Sequence, residues 1–265
     1  MKYIYETHLH TCQSSACGWT KGRDYIPYYQ DRGYAGIIVT DHFFRGNTAV
    51  KRHLPWRERV NQFCLGYEDA REAGEKAGFS VFFGWEENYQ GDEYLIYGLD
   101  KQWLLDHPEV EQFTRKQQFR AVHEAGGCVV QAHPFRDRDY LSAIHLSTGC
   151  VDAVEAYNAG NDPCNDILAV RYAKQLGLPM TAGSDMHQIN HRPEEMLLGV
   201  VFDQPLYTIQ DYVKAIREKQ PFGVQVPKGR GEWKKGVQIL LPVDIRDEMD
   251  VSTGQDVYSL LNMKV

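Results

Sequence analysis

The chain is predicted to fold as an α/β barrel, on three observations. Its 265 residues fit one large unit or two small ones, and a barrel commonly occupies this length as one. Short apolar runs alternate with amphipathic stretches, the pattern of strand–loop–helix units around a parallel sheet. Polar, chemistry-bearing residues recur where the apolar runs end, and in such barrels functional groups sit at the carboxyl ends of the strands.

The first strand, Tyr3-Ile4-Tyr5, runs into Thr7-His8-Leu9-His10. Strand side chains alternate in direction, so His8 and His10 share a face and can grip one ion. A helical pattern over 20–32 stops at Gly33, and the apolar run 35–39 delivers Thr40-Asp41-His42. A long helix is expected over 55–78, then a strand over 80–84 leading to Trp85-Glu86-Glu87. A strand over 93–99, a helix over 112–125 and a strand over 128–132 reach His133-Pro134. The run 151–154 leads to Glu155 and Asn158, a helix continues through Leu176, and 179–183 leads to Ser184-Asp185-Met186-His187. A strand over 199–202 and a helix over 208–219 complete a barrel assigned to 1–220. The segment 221–265 is read as an extension packed on the barrel or on a partner subunit: a mobile connector around Pro227-Lys228-Gly229-Arg230-Gly231, then a strand over 236–241.

Hydrophobic residues make up 43% and charged residues 25%, as in soluble globular proteins. The net charge of -7 argues against general binding of nucleic acid or membrane surfaces and leaves small molecules as the expected partners. No signal-peptide pattern and no transmembrane-length apolar run occurs, so a cytoplasmic protein is expected. The six cysteines form no C-x-x-C pair and read as reduced thiols.

His8, His10, His42, Glu86, His133, Asp185 and His187 all fall at strand ends, and together they point to a metal site. Imidazole and carboxylate donors suit Zn²⁺, Mn²⁺ or Fe, and carboxylates can bridge two ions. The set exceeds what one structural ion needs. Clustered ions suit phosphoester hydrolysis, because they activate water and clamp attacking and leaving oxygens. Arg136, Arg138, Arg192 and Arg45 follow the motifs and can hold phosphate; Arg136 and Arg192 are the preferred pair. Asn158 is a pocket candidate or a helix cap, and Asp41 and Glu155 are expected behind the ligands. Glu87 is assigned a structural role by alternation. His53, His107, His123, His145 and His191 are read as non-ligands.

Five motifs, His8-Leu9-His10, Thr40-Asp41-His42, Gly84-Trp85-Glu86, Ala132-His133-Pro134 and Ser184-Asp185-Met186-His187, occur in the order found in the PHP (polymerase and histidinol phosphatase) superfamily. The chain resembles that family over roughly 1–220. The resemblance implies a distorted (β/α)7 TIM-like barrel. It also implies one ion held by His8, His10, Glu86 and Asp185, a second by Glu86 and His133, and a third served by His42 and His187. Glu86, Asp185 and His187 are the expected catalytic set. Two departures stand out. The loop 11–18 carries Cys12 and Cys17 where many relatives place an Asp or His, and 93–98 lacks the histidine of many relatives, so the second position must recruit Glu93, water or substrate. Of two or three ions, two are therefore expected before three, with Cys17 read as a neutral thiol. The expected activity is metal-dependent hydrolysis of a small phosphorylated substrate. The alternatives are an amidohydrolase-like enzyme acting on amides or esters and a non-catalytic metal-bound regulatory domain.

Overall fold

The computed structural model describes residues 2–190 and 193–263, apart from the side chain of Glu195. The elements are β1 (Tyr3–Glu6), α1 (Tyr25–Gln30), β2 (Tyr34–Val39), α2 (Trp56–Phe63), α3 (Leu65–Ala77), β3 (Ser80–Tyr89), β4 (Asp92–Tyr97), α4 (Lys101–Asp106), α5 (Arg115–Glu124) and β5 (Cys128–Gln131). They continue with β6 (Ile144–Ser147), β7 (Ala153–Asn158), α6 (Pro163–Leu176), β8 (Met180–Gly183), β9 (Gly199–Phe202), α7 (Ile209–Arg217), β10 (Gly223–Gln225), β11 (Val243–Arg246) and α8 (Val257–Leu260). Nine strands form one nearly closed, barrel-shaped sheet in the order β10-β9-β1-β2-β3-β4-β5-β7-β8. Among the described residues no helix is long and apolar enough to cross a membrane.

The sheet is mixed. β1, β2 and β3 run parallel, as do β5, β7 and β8, whereas β4 is antiparallel to β3 and β5, and β9 to β1 and β10. The cause at β4 is local. Gln90 and Gly91, both at positive φ, make a two-residue turn that forces an antiparallel hairpin.

Helix ends follow the chemistry of their sequences. Thr114 and Gln117 form a capping box on α5, Asp162 caps α6 ahead of Pro163, and Gly177 ends α6 in the left-handed region. The helix expected over 55–78 is broken at Cys64. Ser14 Oγ donates to the Phe63 carbonyl at 2.7 Å, and a Cβ on Gly66 would lie 1.9 Å from Thr11 Oγ1, so the loop 11–18 wedges into the helix there.

No strand forms over 236–241. Val237 instead joins Ile245 of β11, Val257 of α8 and Leu261 in an apolar core with Leu168 and Tyr172 of α6, each burial worth roughly 1.5–3 kcal/mol. The extension adds strands elsewhere: β10 on β9, and β11 in a parallel pair with β6. The segment around Arg230 is a set of turns pressed on the barrel, with the Arg230 side chain only 5% exposed, rather than a free connector.

Candidate metal centre

Backbone pairing continues past the regular strands and gathers the motif residues at one end of the barrel. A bridge joins Leu9 to Met186, through His10 N–H to Met186 O and Met186 N–H to His8 O, which closes the barrel between β1 and β8. A second bridge joins His42 to Glu86, and Thr40 N–H donates to Leu9 O. Four strand ends are thus held edge to edge. His133 and Asp185 have φ of 26° and 49°, a left-handed conformation that costs such residues about 1–3 kcal/mol and aims both side chains into the cluster.

The geometry divides the cluster into overlapping donor groups, each with ligand atoms within 4.8 Å of one another. In the first, His8 Nε2 and His10 Nε2 face each other at 3.1 Å, and Asp185 Oδ1 lies 3.6 and 3.2 Å from them. In the second, Glu86 Oε1 is 3.2 Å from His8 Nε2 and 3.0 Å from His133 Nε2. Glu93 Oε2 is 3.5 Å from His133 Nε2, and Glu93 also groups with His42 and Glu86. In the third, the His10, His42 and His187 rings stack, with centroids 4.2 and 4.4 Å from His10. Glu86 Oε2 and His42 Nδ1 are buried 2.7 Å apart without a well-directed hydrogen bond. Converging imidazole nitrogens and carboxylate oxygens, with orphaned buried atoms among them, fit divalent cations.

Behind the ligands lies an ordered layer of acceptors. Glu155 Oε1 accepts from His8 Nδ1 at 2.9 Å, which leaves the Nε2 lone pair facing the cluster. Asp41 accepts from Thr11 N–H, Thr11 Oγ1 and Ser15 Oγ, and Ser15 Oγ lies 3.2 Å from His10 Nδ1, so Asp41 orients His10 through the loop it pins. Asn158 Nδ2 donates to Glu155 Oε2. Alternation alone would turn Glu155 and Asn158 apart, but a bulge between Glu155 and Tyr157 restores them to one buried network.

Charge is correspondingly concentrated. Burial opposes ionisation of Glu86 and Asp185, yet His8 and His42 around the first, and His8 and Arg136 around the second, hold both well below the ordinary carboxylate range. Burial works to lower the pKa of His8, but Glu155, Asp185 and Glu86 together raise it well above the usual value. His10 is depressed by burial and by neighbouring His42 and His187. Burial would raise the Cys17 thiol, but hydrogen bonding with His187 and His42 brings it down to about 6.

A cleft of about 220 Å³ opens from Glu86, Glu93, His133 and Asp185 towards a rim that includes Arg138 and Tyr140. The seven predicted ligands all come together in this cluster. Arg136 lines the cleft too, but its guanidinium is taken up by Asp185, Asn158 and Asn161. Asn158 is fully buried and does not line the cleft. Arg45 pairs with the buried Glu87, which agrees with the structural role given to Glu87. Arg192 and His191 lie outside the described residues. Glu93 and Arg138 were visible only as members of longer candidate sets, and no sequence signal marked Asn161, Asp166 or Arg230.

A family model described as PHP-associated matches residues 167–221. The fold resembles that of an amidohydrolase from Chromobacterium violaceum whose structure holds sulfate and no metal, with 14% identity, 80% of this chain and 96% of that chain covered, and a TM-score of 0.50. A protein from Bifidobacterium adolescentis described as a candidate metal-dependent phosphoesterase gives 15% identity, 80% and 94% coverage and a TM-score of 0.49. No curated protein gives a significant match. The chain thus resembles the PHP superfamily in its motif order and in the PHP-associated segment 167–221, and its barrel resembles that of the amidohydrolase.

Proposed function

Taking that resemblance as the premise, we propose that the protein is a metal-dependent phosphoesterase acting on a small phosphorylated substrate. The observation that carries the reading is Glu86, whose two oxygens face His8, His133 and His42 at 2.7–3.2 Å, as a carboxylate shared between ions would. His8, His10, Glu86 and Asp185 would hold one divalent ion, and Glu86, His133 and Glu93 a second. His42 and His187 would serve a third position beside the Cys17 thiol. Zinc, manganese and iron all accept nitrogen and oxygen donors, while the sulfur of Cys17 favours zinc or iron at the third position.

Bound divalent ions supply a water of lowered pKa and neutralise charge in an in-line displacement at phosphorus. The protein's own groups provide the rest. Arg138, exposed at the rim and with no side-chain partner among the described residues, holds the phosphate. Arg136 holds Asp185, and Glu155 fixes the His8 tautomer, so the ligand set is preorganised. His187, the most exposed of the cluster histidines, lines the cleft and would move a proton when no ion occupies the third position. No lysine lines the cleft among the described residues, which favours this reading over an amidohydrolase chemistry built on a carboxylated lysine.

The test is an assay of Zn²⁺- and Mn²⁺-loaded protein against phosphomonoesters and phosphodiesters, beside Asp185→Ala. Metal-dependent turnover abolished by the substitution is expected. Failure on the whole panel would refute the activity, and turnover surviving Asp185→Ala would refute the site.

A further inference from the structure

The cluster is braced from outside the barrel. Asp166, at the start of α6, divides its two oxygens. Oδ1 accepts from Asn161 Nδ2 at 2.9 Å and from the Asn158 backbone N–H at 3.3 Å, while Oδ2 accepts from Arg230 Nε at 2.5 Å. Arg230 Nη2 also donates to the Asn158 carbonyl at 2.6 Å, so Arg230 and Asp166 grip both backbone polar groups of Asn158.

The direction of the Asn161 amide follows from this bracket, and that of the Asn158 amide from Glu155. Asn161 donates to Asp166 and therefore presents Oδ1 to Arg136 Nε at 2.7 Å; Asn158 donates to Glu155 and presents Oδ1 to Arg136 Nη2 at 2.6 Å. With two edges of the guanidinium fixed, Nη1 is left for Asp185 Oδ2 at 2.8 Å. Without Arg230, the fully buried Asp166 loses its charged partner, and the carboxylate that anchors Asn161 Nδ2 and the Asn158 N–H is no longer held in place.

The chain around Arg230 is shaped for this contact. Gly229 and Gly231 adopt φ of 80° and 77°, and a Cβ on Gly231 would lie 2.6 Å from the Tyr157 ring. The backbone is pressed flat against β7, and the arginine points inward.

We propose that Arg230, from the C-terminal extension, is a positioning residue of the metal centre, acting through Asp166, Asn161, Asn158 and Arg136 to hold Asp185. The proposal rests on the metal-centre reading above and extends the site into a segment outside the barrel motifs. The experiment measures Co²⁺ affinity by competition with a chromophoric chelator, and the visible spectrum of the cobalt-saturated protein, for wild type, Arg230→Gln and Asn161→Ala. Val237→Ala, in the same extension but packed in an apolar core, controls for simple loss of stability.

Arg230→Gln should weaken cobalt binding at least ten-fold and alter the spectrum, and Val237→Ala, even with an equal fall in melting temperature, should leave both within two-fold. Unchanged affinity and spectrum in Arg230→Gln, or an equal loss in Val237→Ala, would overturn the proposal. If Arg230→Gln does not fold, Asn161→Ala decides, since it cuts the chain of contacts while keeping the Arg230–Asp166 pair: weakened binding supports the proposal and wild-type binding overturns it. A wild-type protein that binds no cobalt would overturn the metal-centre reading and this proposal with it, an outcome separate from wild-type binding that the variants leave untouched.

Discussion

Arg136 Nη1 donates to Oδ2 of Asp185 at 2.8 Å, so this cleft-lining cation is bound to one of the cluster's own ligands. Arg138, two residues on, is exposed and faces the same cleft without a side-chain partner among the described residues. The two arginines should separate in kinetics. Arg138→Ala removes a charge-assisted hydrogen bond to substrate, about 1.5–3 kcal/mol, and should raise KM by roughly 10- to 100-fold with metal content unchanged. Arg136→Ala should instead lower metal occupancy and kcat. Steady-state kinetics with metal analysis checks both, and a KM effect confined to Arg136→Ala would reverse the assignment.

Glu93 tests the second position. Its Oε2 lies 3.5 Å from His133 Nε2, where it can replace the histidine expected on that strand. Glu93→Gln keeps the shape and removes the charge. It should weaken one ion at least about ten-fold while leaving the His8–His10–Asp185 ion bound. Metal stoichiometry after dialysis reads this directly, and full retention of every ion would exclude Glu93 as a ligand.

Metal binding should depend on pH with a defined sign. His8 has its pKa raised by surrounding carboxylates despite burial, so a proton competes with an ion for its Nε2. Affinity should therefore fall as pH is lowered, and binding should release protons. Calorimetry at one pH in two buffers of different ionisation enthalpy measures the release; identical heats would contradict it.

Cys17 should react as a thiolate. With its pKa brought to about 6, alkylation by iodoacetamide should reach half its limiting rate near pH 6 in metal-free protein. Cys64, buried and pushed up to about 12, should stay unreactive at neutral pH. Zinc should protect Cys17 if it completes the third position with His42 and His187. Equal labelling with and without zinc, followed by mass spectrometry of the peptide, would remove Cys17 from that position.

The sequence by itself determined the barrel class and the seven motif residues. Both are written in local periodicity. Alternation along a strand puts His8 and His10 on one face, and an apolar run that stops at a polar residue marks where each strand delivers its side chain. Only the tertiary structure decided which groups are free and which are spent. Arg136 and Arg138 look alike in sequence, and what separates them is Asp185, 49 residues from Arg136. Glu93 enters the site because a two-residue turn pairs Asn88 with Glu93 across an antiparallel hairpin. Arg230, in a Gly- and Lys-rich stretch that reads as a mobile connector, becomes a buried cation because Asp166 lies opposite it, 64 residues away in the chain. Pairings over such distances depend on how elements pack, and no local pattern in the chain encodes them.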